Sequence, residues 1–126
     1  MLPIADLVKF NRGAKPLTWE EGLKILERDH YRCRYCGLDG MASFENSLIM
    51  TVDFVKPRAK GGTKEARNLV AACRPCNVLK GYRVYGSFEE ARTHVLERRA
   101  EMRKAWEAKA AGAVGALPWL RGRGSA

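Results

Sequence analysis

The sequence lacks any long apolar run, and this bounds the classes of protein it can belong to. No stretch approaches the roughly 18 to 20 residues that a membrane span needs. Asp6 interrupts the apolar N-terminal segment where a signal peptide would be continuous. We therefore expect an intracellular, cytoplasmic protein that does not insert into a membrane. The length of 126 residues, without an internal repeat, also excludes a large multidomain enzyme.

Acidic residues are scarce relative to basic ones. The chain holds 14 Asp and Glu against 23 Lys and Arg, a formal net charge of +9 and a sequence pI near 9.7. The excess is concentrated in residues 55–83, where eight basic residues face the single acid Glu65 and the segment carries net +7. A solvated loop kept basic for solubility would have this composition. A nucleic acid, and DNA first, is the partner that the charge favours.

The four cysteines form two C-x-x-C pairs. Cys33 and Cys36 make the first pair, and Cys73 and Cys76 the second. A C-x-x-C turn presents two thiolates to one ion, and two such turns complete the tetrahedral shell that zinc prefers. Disulfides, a redox motif and incidental buried thiols are the alternatives. We interpret the pattern as a structural zinc site that closes residues 37–72, the insert in which we expect the function to lie.

Local patterns predict a small set of elements. Thr18 to Glu21 is a capping box that opens a helix through about Asp29. Residues 48–55 are rich in apolar and β-branched types and predict a strand, and residues 68–72 predict a short returning strand after the Gly61-Gly62 turn. The second cysteine pair should begin a helix, with Pro75 in its first turn. Another capping box at Ser87 opens a long amphipathic helix to about Lys109, with Met102 and Trp106 on its apolar face.

These elements give the expected domain organisation. We expect a lead-in over 1–17, a zinc module over 18–86, a helix over 87–109 that packs on the module, and a flexible tail over 110–126. Trp119 and Arg121 are at most a weak anchoring patch in that tail.

Several motifs of the module occur together in one unbroken order. They are Tyr31-Arg32-Cys33-Arg34-Tyr35-Cys36-Gly37, then Thr51-Val52-Asp53-Phe54-Val55-Lys56-Pro57 with Gly61-Gly62, then Asn68-Leu69-Val70, and finally Cys73-Arg74-Pro75-Cys76-Asn77-Val78-Leu79-Lys80-Gly81. From about residue 28 to 83, this combination closely resembles the zinc-containing HNH endonucleases. The resemblance implies an α+β fold: a zinc-stapled, treble-clef-like ββα-metal module in which a hairpin and a helix cradle one catalytic divalent ion, flanked by an N-terminal helix and a long C-terminal helix.

The resemblance also implies roles for individual residues. Asp53 and Asn77 would ligate a catalytic Mg²⁺ or Mn²⁺, because carboxylate and amide oxygens suit hard ions. Asn68 would brace the loop. Taken alone, Asp53 could simply cap a turn, and Asn77 could bond locally within its helix. The expected nucleic-acid contacts are Lys56, Arg58, Lys60, Lys64, Arg67, Lys80 and Arg83.

Phe54 departs from the family pattern. The family has a histidine directly after the aspartate, as general base for the attacking water, and phenylalanine cannot accept a proton. Losing a positioned base typically lowers the rate by about 10² to 10⁴. His30 and His94 are the only histidines and therefore the only histidine substitutes. Two functions stay open: a metal-dependent DNA endonuclease or nickase, weakened at this position, and a catalytically inactive relative that binds DNA or a partner protein.

Overall fold

The computed structural model describes residues 14–116, and the fold is given for these residues. The elements in chain order are α1 (Trp19–Arg28), α2 (Phe44–Leu48), β1 (Met50–Phe54), β2 (Leu69–Cys73), α3 (Arg74–Lys80) and α4 (Phe88–Ala116). Single turns of 3₁₀ helix over Arg58–Lys60 and Ala66–Asn68 interrupt the loop between the strands. Trp119, Arg121 and most of the expected lead-in lie outside the described residues.

The two strands form an antiparallel hairpin, with Asp53 opposite Val70 and Phe54 opposite Leu69. Every residue of β2 is buried, whereas Asp53 is the only buried residue of β1. A two-stranded hairpin is at best marginally stable alone, so β2 needs cover from other elements. Helix α3 follows β2 directly and packs on both strands, which completes the expected ββα order and the α+β fold class.

The helix starts follow the sequence signals. Thr18 caps α1 in a complete capping box, in which Glu21 N–H donates to Thr18 Oγ1 and Thr18 N–H donates to the Glu21 carboxylate. At α4, Ser87 Oγ accepts from Glu90 N–H, but the Glu90 carboxylate accepts from Gly86 N–H rather than from Ser87. In both helices a backbone N–H of the first turn therefore donates to the side chain of the capping residue, which supports the predicted N-termini.

The strands and helices differ from the sequence-based expectations in several respects. Residue 48 ends helix α2, which the sequence did not predict, so β1 begins at Met50. Helix α4 continues to Ala116 instead of ending near Lys109. Trp19 at the start of α1 is 80% exposed, and of the α1 side chains only Ile25 is buried.

The hydrophobic core lies beside the cysteines. It joins Tyr35, Val70 and Ala72 to Ala91 and Val95 from the first turns of α4. The described residues form two compact units, and the division between them falls inside α4, between Val95 and Leu96. In the second unit Met102 and Trp106 are 51% and 64% exposed. Ala91 and Val95 are the buried residues that α4 contributes to this core, and the packing of the rest of the helix on the module stays a prediction.

Candidate metal centre and cleft

The four cysteines come from two turns that the fold brings together. Cys33 and Cys36 lie in a loop that is closed by a hydrogen bond from Cys33 N–H to Leu38 O. Gly37, which follows the second cysteine, has a positive φ of 80° that glycine adopts without strain. Cys73 ends β2, and Cys76 lies in the first turn of α3. A backbone bond from Arg34 N–H to Ala71 O joins the first turn to β2 close to Cys73, and a bond from Arg74 N–H to Ile49 O joins the second turn to the residue before β1.

The distances between the thiols fit one tetrahedral ion. All four Sγ atoms lie within 4.8 Å of one another, and Cys36 Sγ is 3.7 Å from Cys73 Sγ. Four sulfurs about 2.3 Å from one zinc would be separated by about 3.8 Å. A disulfide needs sulfurs about 2.05 Å apart, and all four cysteines are free. The cluster could therefore hold a metal ion, with zinc the fitting choice for four thiolates.

Hydrogen bonding and burial shift the pKa values of Cys33, Cys73 and Cys76 in different directions. A hydrogen bond from the Cys76 thiol lowers the pKa of Cys33 to about 4, with further help from neighbouring backbone N–H groups. The same bond, together with burial, raises the pKa of Cys76. Burial raises the pKa of Cys73 to about 11. The hydrogen bond thus favours the thiolate form of Cys33, which is the form that binds a metal ion.

A cleft of about 630 Å³ opens where β1, the following loop and α3 meet. Its lining includes Asp53 and Phe54 from β1, Asn77 and Lys80 from α3, and Tyr82. The remaining lining residues are Ala14, Lys15, Pro16, Val52, Pro57, Arg58, Ala59 and Gly81. The aspartate and asparagine that the sequence singled out for an ion therefore border the same cavity.

The periodicities of a strand and a helix explain this meeting. Thr51 and Asp53 are two residues apart on β1 and so share one face, while Asn77 and Lys80 are three apart on α3 and share one face. Asn77 Nδ2 donates to Thr51 Oγ1 at 3.2 Å, and Lys80 Nζ donates to Asp53 Oδ1 at 3.2 Å. The two pairs connect α3 to the sheet, and the Asn77 amide nitrogen is committed to Thr51.

Asp53 is buried, with 5% of its surface exposed, and both of its oxygens are bonded. Lys80 occupies Oδ1, and the Tyr35 hydroxyl donates to Oδ2 at 2.5 Å. Burial raises the pKa of Asp53, while the charge of Lys80 and the Tyr35 hydroxyl oppose that rise. Burial and the nearby Asp53 charge raise the pKa of Tyr35 above its usual range, which keeps the hydroxyl a donor. Tyr35 thus connects the first cysteine turn to the cleft carboxylate.

Phe54 borders the cleft but offers no proton acceptor. The Arg58 guanidinium lies 5.8 Å from the centre of its ring, a cation–π distance. Neither His30 nor His94 is among the residues that line the cleft. His94 instead contacts the Tyr85 ring, with centroids 5.6 Å apart.

Asn68 closes the loop that follows β1. Its side chain accepts from Lys56 N–H at 2.8 Å and donates to the carbonyls of Lys56 and Thr63. The backbone approaches itself closely here, since a Cβ at Gly62 would lie 1.8 Å from Lys56 O. The contacts agree with a bracing role for Asn68 and require glycine at position 62.

The residues expected to contact nucleic acid differ in how exposed they are and in whether an acidic residue pairs with them. Lys56, Lys60 and Arg83 are exposed, and Arg58 is half-buried against Phe54. Lys64 is paired with Glu21 and Arg67 with Glu65. The contact predicted for Lys80 needs correction: only 2% of this residue is exposed, because its ammonium is paired inside the protein with Asp53.

Two partners of Asp53 in this network, Tyr35 and Lys80, were not predicted from the sequence. Tyr35 lies between two cysteines, and its position there gave no sign of a carboxylate partner. Lys80 was noticed only as a positive charge. A spacing of three residues from Asn77 on a short helix was the available signal, because it places both side chains on one face.

Comparison with known proteins identifies part of the chain. Residues 33–83 match the model of the family described as HNH endonuclease, a segment that spans both cysteine pairs, the hairpin and α3. Over these residues the chain is similar to an HNH endonuclease domain. This domain covers less than half of the 126 residues. It indicates nuclease-type activity at the level of the family, whose members act on nucleic acids and use a divalent metal.

Two further findings concern the chain and its helices. No curated protein and no solved structure matches the chain. Within residues 14–116, none of the helices has the length and apolarity required to cross a membrane.

Proposed function

We propose that the protein is a metal-dependent DNA endonuclease or nickase of the HNH type that hydrolyses phosphodiester bonds slowly. The observation that carries this proposal is that Asp53 and Asn77 line one cleft at the centre of the HNH domain. Exposed Lys56 and Lys60 lie on the loop that leads away from it. The HNH-like module would comprise residues 18–86.

Asp53 and Asn77 offer oxygen donors of the kind that a hard divalent ion prefers. Mg²⁺ and Mn²⁺ are commonly held by one or two carboxylates, with water and substrate phosphate completing the shell. Asp53 would supply a carboxylate oxygen and Asn77 its amide oxygen, since the amide nitrogen donates to Thr51. When bound, such an ion would withdraw charge from the scissile phosphate and from the leaving oxygen.

The cleft residues would position the substrate. Arg58 and the exposed Lys56 and Lys60 provide the positive charge that attracts DNA phosphates. Asn68 fixes the loop that carries them through three side-chain hydrogen bonds. Phe54 would leave the attacking water without a protein base, which is the reason for expecting slow hydrolysis.

A structural zinc ion is the second part of the proposal. Cys33, Cys36, Cys73 and Cys76 would hold it, since their spacing fits four thiolates around one ion. Its role would be to fix the two turns that place the Tyr35 hydroxyl against Asp53 and Asn77 in the cleft.

A catalytically inactive HNH-like module that binds DNA or a partner protein is the alternative function. Two observations favour it: Phe54 occupies the position of the base, and Lys80 already neutralises Asp53. In this case the cleft and its loop would bind phosphates without cutting.

Nicking of supercoiled plasmid DNA in Mn²⁺ or Mg²⁺ distinguishes the two functions. We expect slow nicking by the wild type and none by Asp53→Ala or Asn77→Ala. Phe54→His should raise the rate by about tenfold to 10²-fold, less than the full worth of an optimally placed base. Nicking is measured as the rate of conversion of supercoiled to open-circular plasmid.

Phe44→His is the matched control, because Phe44 is 70% exposed and does not line the cleft. It adds a histidine without changing the cleft, so its rate should equal that of the wild type. Circular dichroism must show Asp53→Ala and Asn77→Ala folded. A wild type that binds plasmid DNA without nicking it, and is not activated by Phe54→His, would favour the inactive module.

A further inference from the structure

Lys80 occupies an unusual position for a lysine. Only 2% of it is exposed, and its ammonium donates to Asp53 Oδ1 at 3.2 Å and to the Phe54 carbonyl at 2.9 Å. A buried ammonium is strongly unfavourable unless a charge of opposite sign and further acceptors surround it. Asp53 provides that charge, so the two residues form a buried ion pair.

The pair is complete within the protein. Tyr35, which is fully buried, donates to the second oxygen of Asp53. Within residues 14–116, each buried side-chain nitrogen or oxygen has a hydrogen-bond partner. The carboxylate is therefore neutralised and bonded on both oxygens by the chain itself.

A divalent ion at Asp53 would meet this ammonium directly. Like charges a few ångströms apart repel, and the repulsion is stronger in a buried site than in water. Among the described residues that line the cleft, Asp53 is the only acidic one, whereas Lys15, Arg58 and Lys80 are all cationic. No second carboxylate of this described lining offsets the repulsion. The ion and the Lys80 ammonium would therefore compete for the single negative charge of Asp53.

We propose that Lys80 is a built-in counter-cation of Asp53 that competes with the divalent ion for this carboxylate and keeps the affinity of the cleft for the ion low. This inference rests on the proposed function, which places the ion at Asp53. It assigns Lys80 a role in metal affinity instead of a direct contact with DNA.

Mn²⁺ binding to the zinc-loaded full chain, measured by titration calorimetry without DNA, tests the competition. Lys80→Gln removes the charge, and its amide keeps a donor for Asp53. This variant should bind Mn²⁺ about tenfold or more tightly than the wild type. Lys15→Gln is the matched control, because it removes the same charge from an exposed lysine of the same cleft, and its affinity should change by less than about threefold. Asp53→Asn added to Lys80→Gln should abolish the gain.

A thermal-unfolding measurement covers the case in which Lys80→Gln folds poorly. The variant leaves a buried carboxylate without its counter-ion, so its melting temperature should fall, and Mn²⁺ should raise it again by binding the folded state. A Lys80→Gln protein that stays unfolded in saturating Mn²⁺ would overturn the inference. Equal Mn²⁺ affinities for Lys80→Gln, Lys15→Gln and the wild type would also overturn it.

Failure of this inference is distinguishable from failure of the proposed function. A wild type that nicks DNA with Mn²⁺ while Lys80→Gln binds the ion no more tightly would refute only the competition. A gain in Mn²⁺ affinity for Lys80→Gln, in a protein that never nicks DNA, would refute only the nuclease proposal.

Discussion

At the scale of single residues, Asn68 shows how one amide fixes a loop. Its carbonyl oxygen and its amino group bond the backbone of Lys56 and Thr63, on either side of the Gly61-Gly62 turn. Each bond contributes about 0.5 to 1.5 kcal/mol, and a missing partner leaves a backbone group in an unfavourable environment. Asn68 therefore stabilises the segment that carries the exposed lysines.

Asn68→Ala should lower the free energy of unfolding by about 1 to 3 kcal/mol, because it removes three side-chain hydrogen bonds at once. Urea denaturation followed by circular dichroism measures the loss. Asn77→Ala is the comparison, because Asn77 is also half-buried but its side chain makes one hydrogen bond, to Thr51. This variant should lower the free energy of unfolding by less than Asn68→Ala does. An unchanged midpoint for Asn68→Ala would show that the loop needs no such brace.

At the scale of elements, the loop between β1 and β2 carries the exposed positive charge. Lys56 and Lys60 are exposed, while Lys64 and Arg67 are paired with glutamates and so have part of their charge neutralised. Phosphate binding by cationic side chains releases counter-ions, which makes DNA binding weaken as salt rises. The exposed lysines should therefore dominate the salt dependence of DNA binding.

The Lys56→Gln/Lys60→Gln double variant should reduce the slope of log affinity against log salt by about 2, because each phosphate that is no longer neutralised lowers it by roughly 0.9. Fluorescence anisotropy with a labelled duplex at several salt concentrations measures this slope. Lys104→Gln/Lys109→Gln removes the same charge from α4 and should leave the slope nearly unchanged. Equal slopes for the two double variants would show that DNA does not bind this loop.

At the scale of the whole molecule, the cysteine cluster connects the core of the module to the cleft. Cys33, Cys73 and Cys76 are buried in the same core as Val70 and Ala72, beside a hairpin too small to be stable alone. Where a metal binds the folded state alone, its binding free energy becomes folding free energy. The module should therefore depend on the ion for its stability.

The purified protein should contain one zinc ion per chain by elemental analysis. Removing it with a chelator at neutral pH should unfold the hairpin and α3, with loss of the melting transition of the module, and added Zn²⁺ should restore both. Cys73→Ser should have a similar effect without a chelator. Protein that contains no zinc, or that melts at the same temperature after chelation, would contradict this expectation.

The sequence was most informative where the signal is local. The capping box at Thr18 and the start of α3 after Cys73 were predicted from a few neighbouring residues, and both are confirmed. The C-x-x-C pairs predicted a shared ion site, and all four thiols do lie together. The spacing of Met102 and Trp106 predicted one face of a helix, and helical periodicity alone does not show what covers such a face.

The spacing of the cysteines determined that four thiols would gather, local patterns gave the order strand, strand, helix, and the family resemblance directed attention to Asp53 and Asn77. Only the tertiary structure decided the surroundings of Asp53. Tyr35 and Lys80 lie 18 and 27 residues away from it in sequence, and both bond its carboxylate in the fold. No local pattern records such pairs, because they depend on how strand, cysteine turn and helix pack against one another. The same packing converted Lys80 from an expected surface charge into a buried counter-ion.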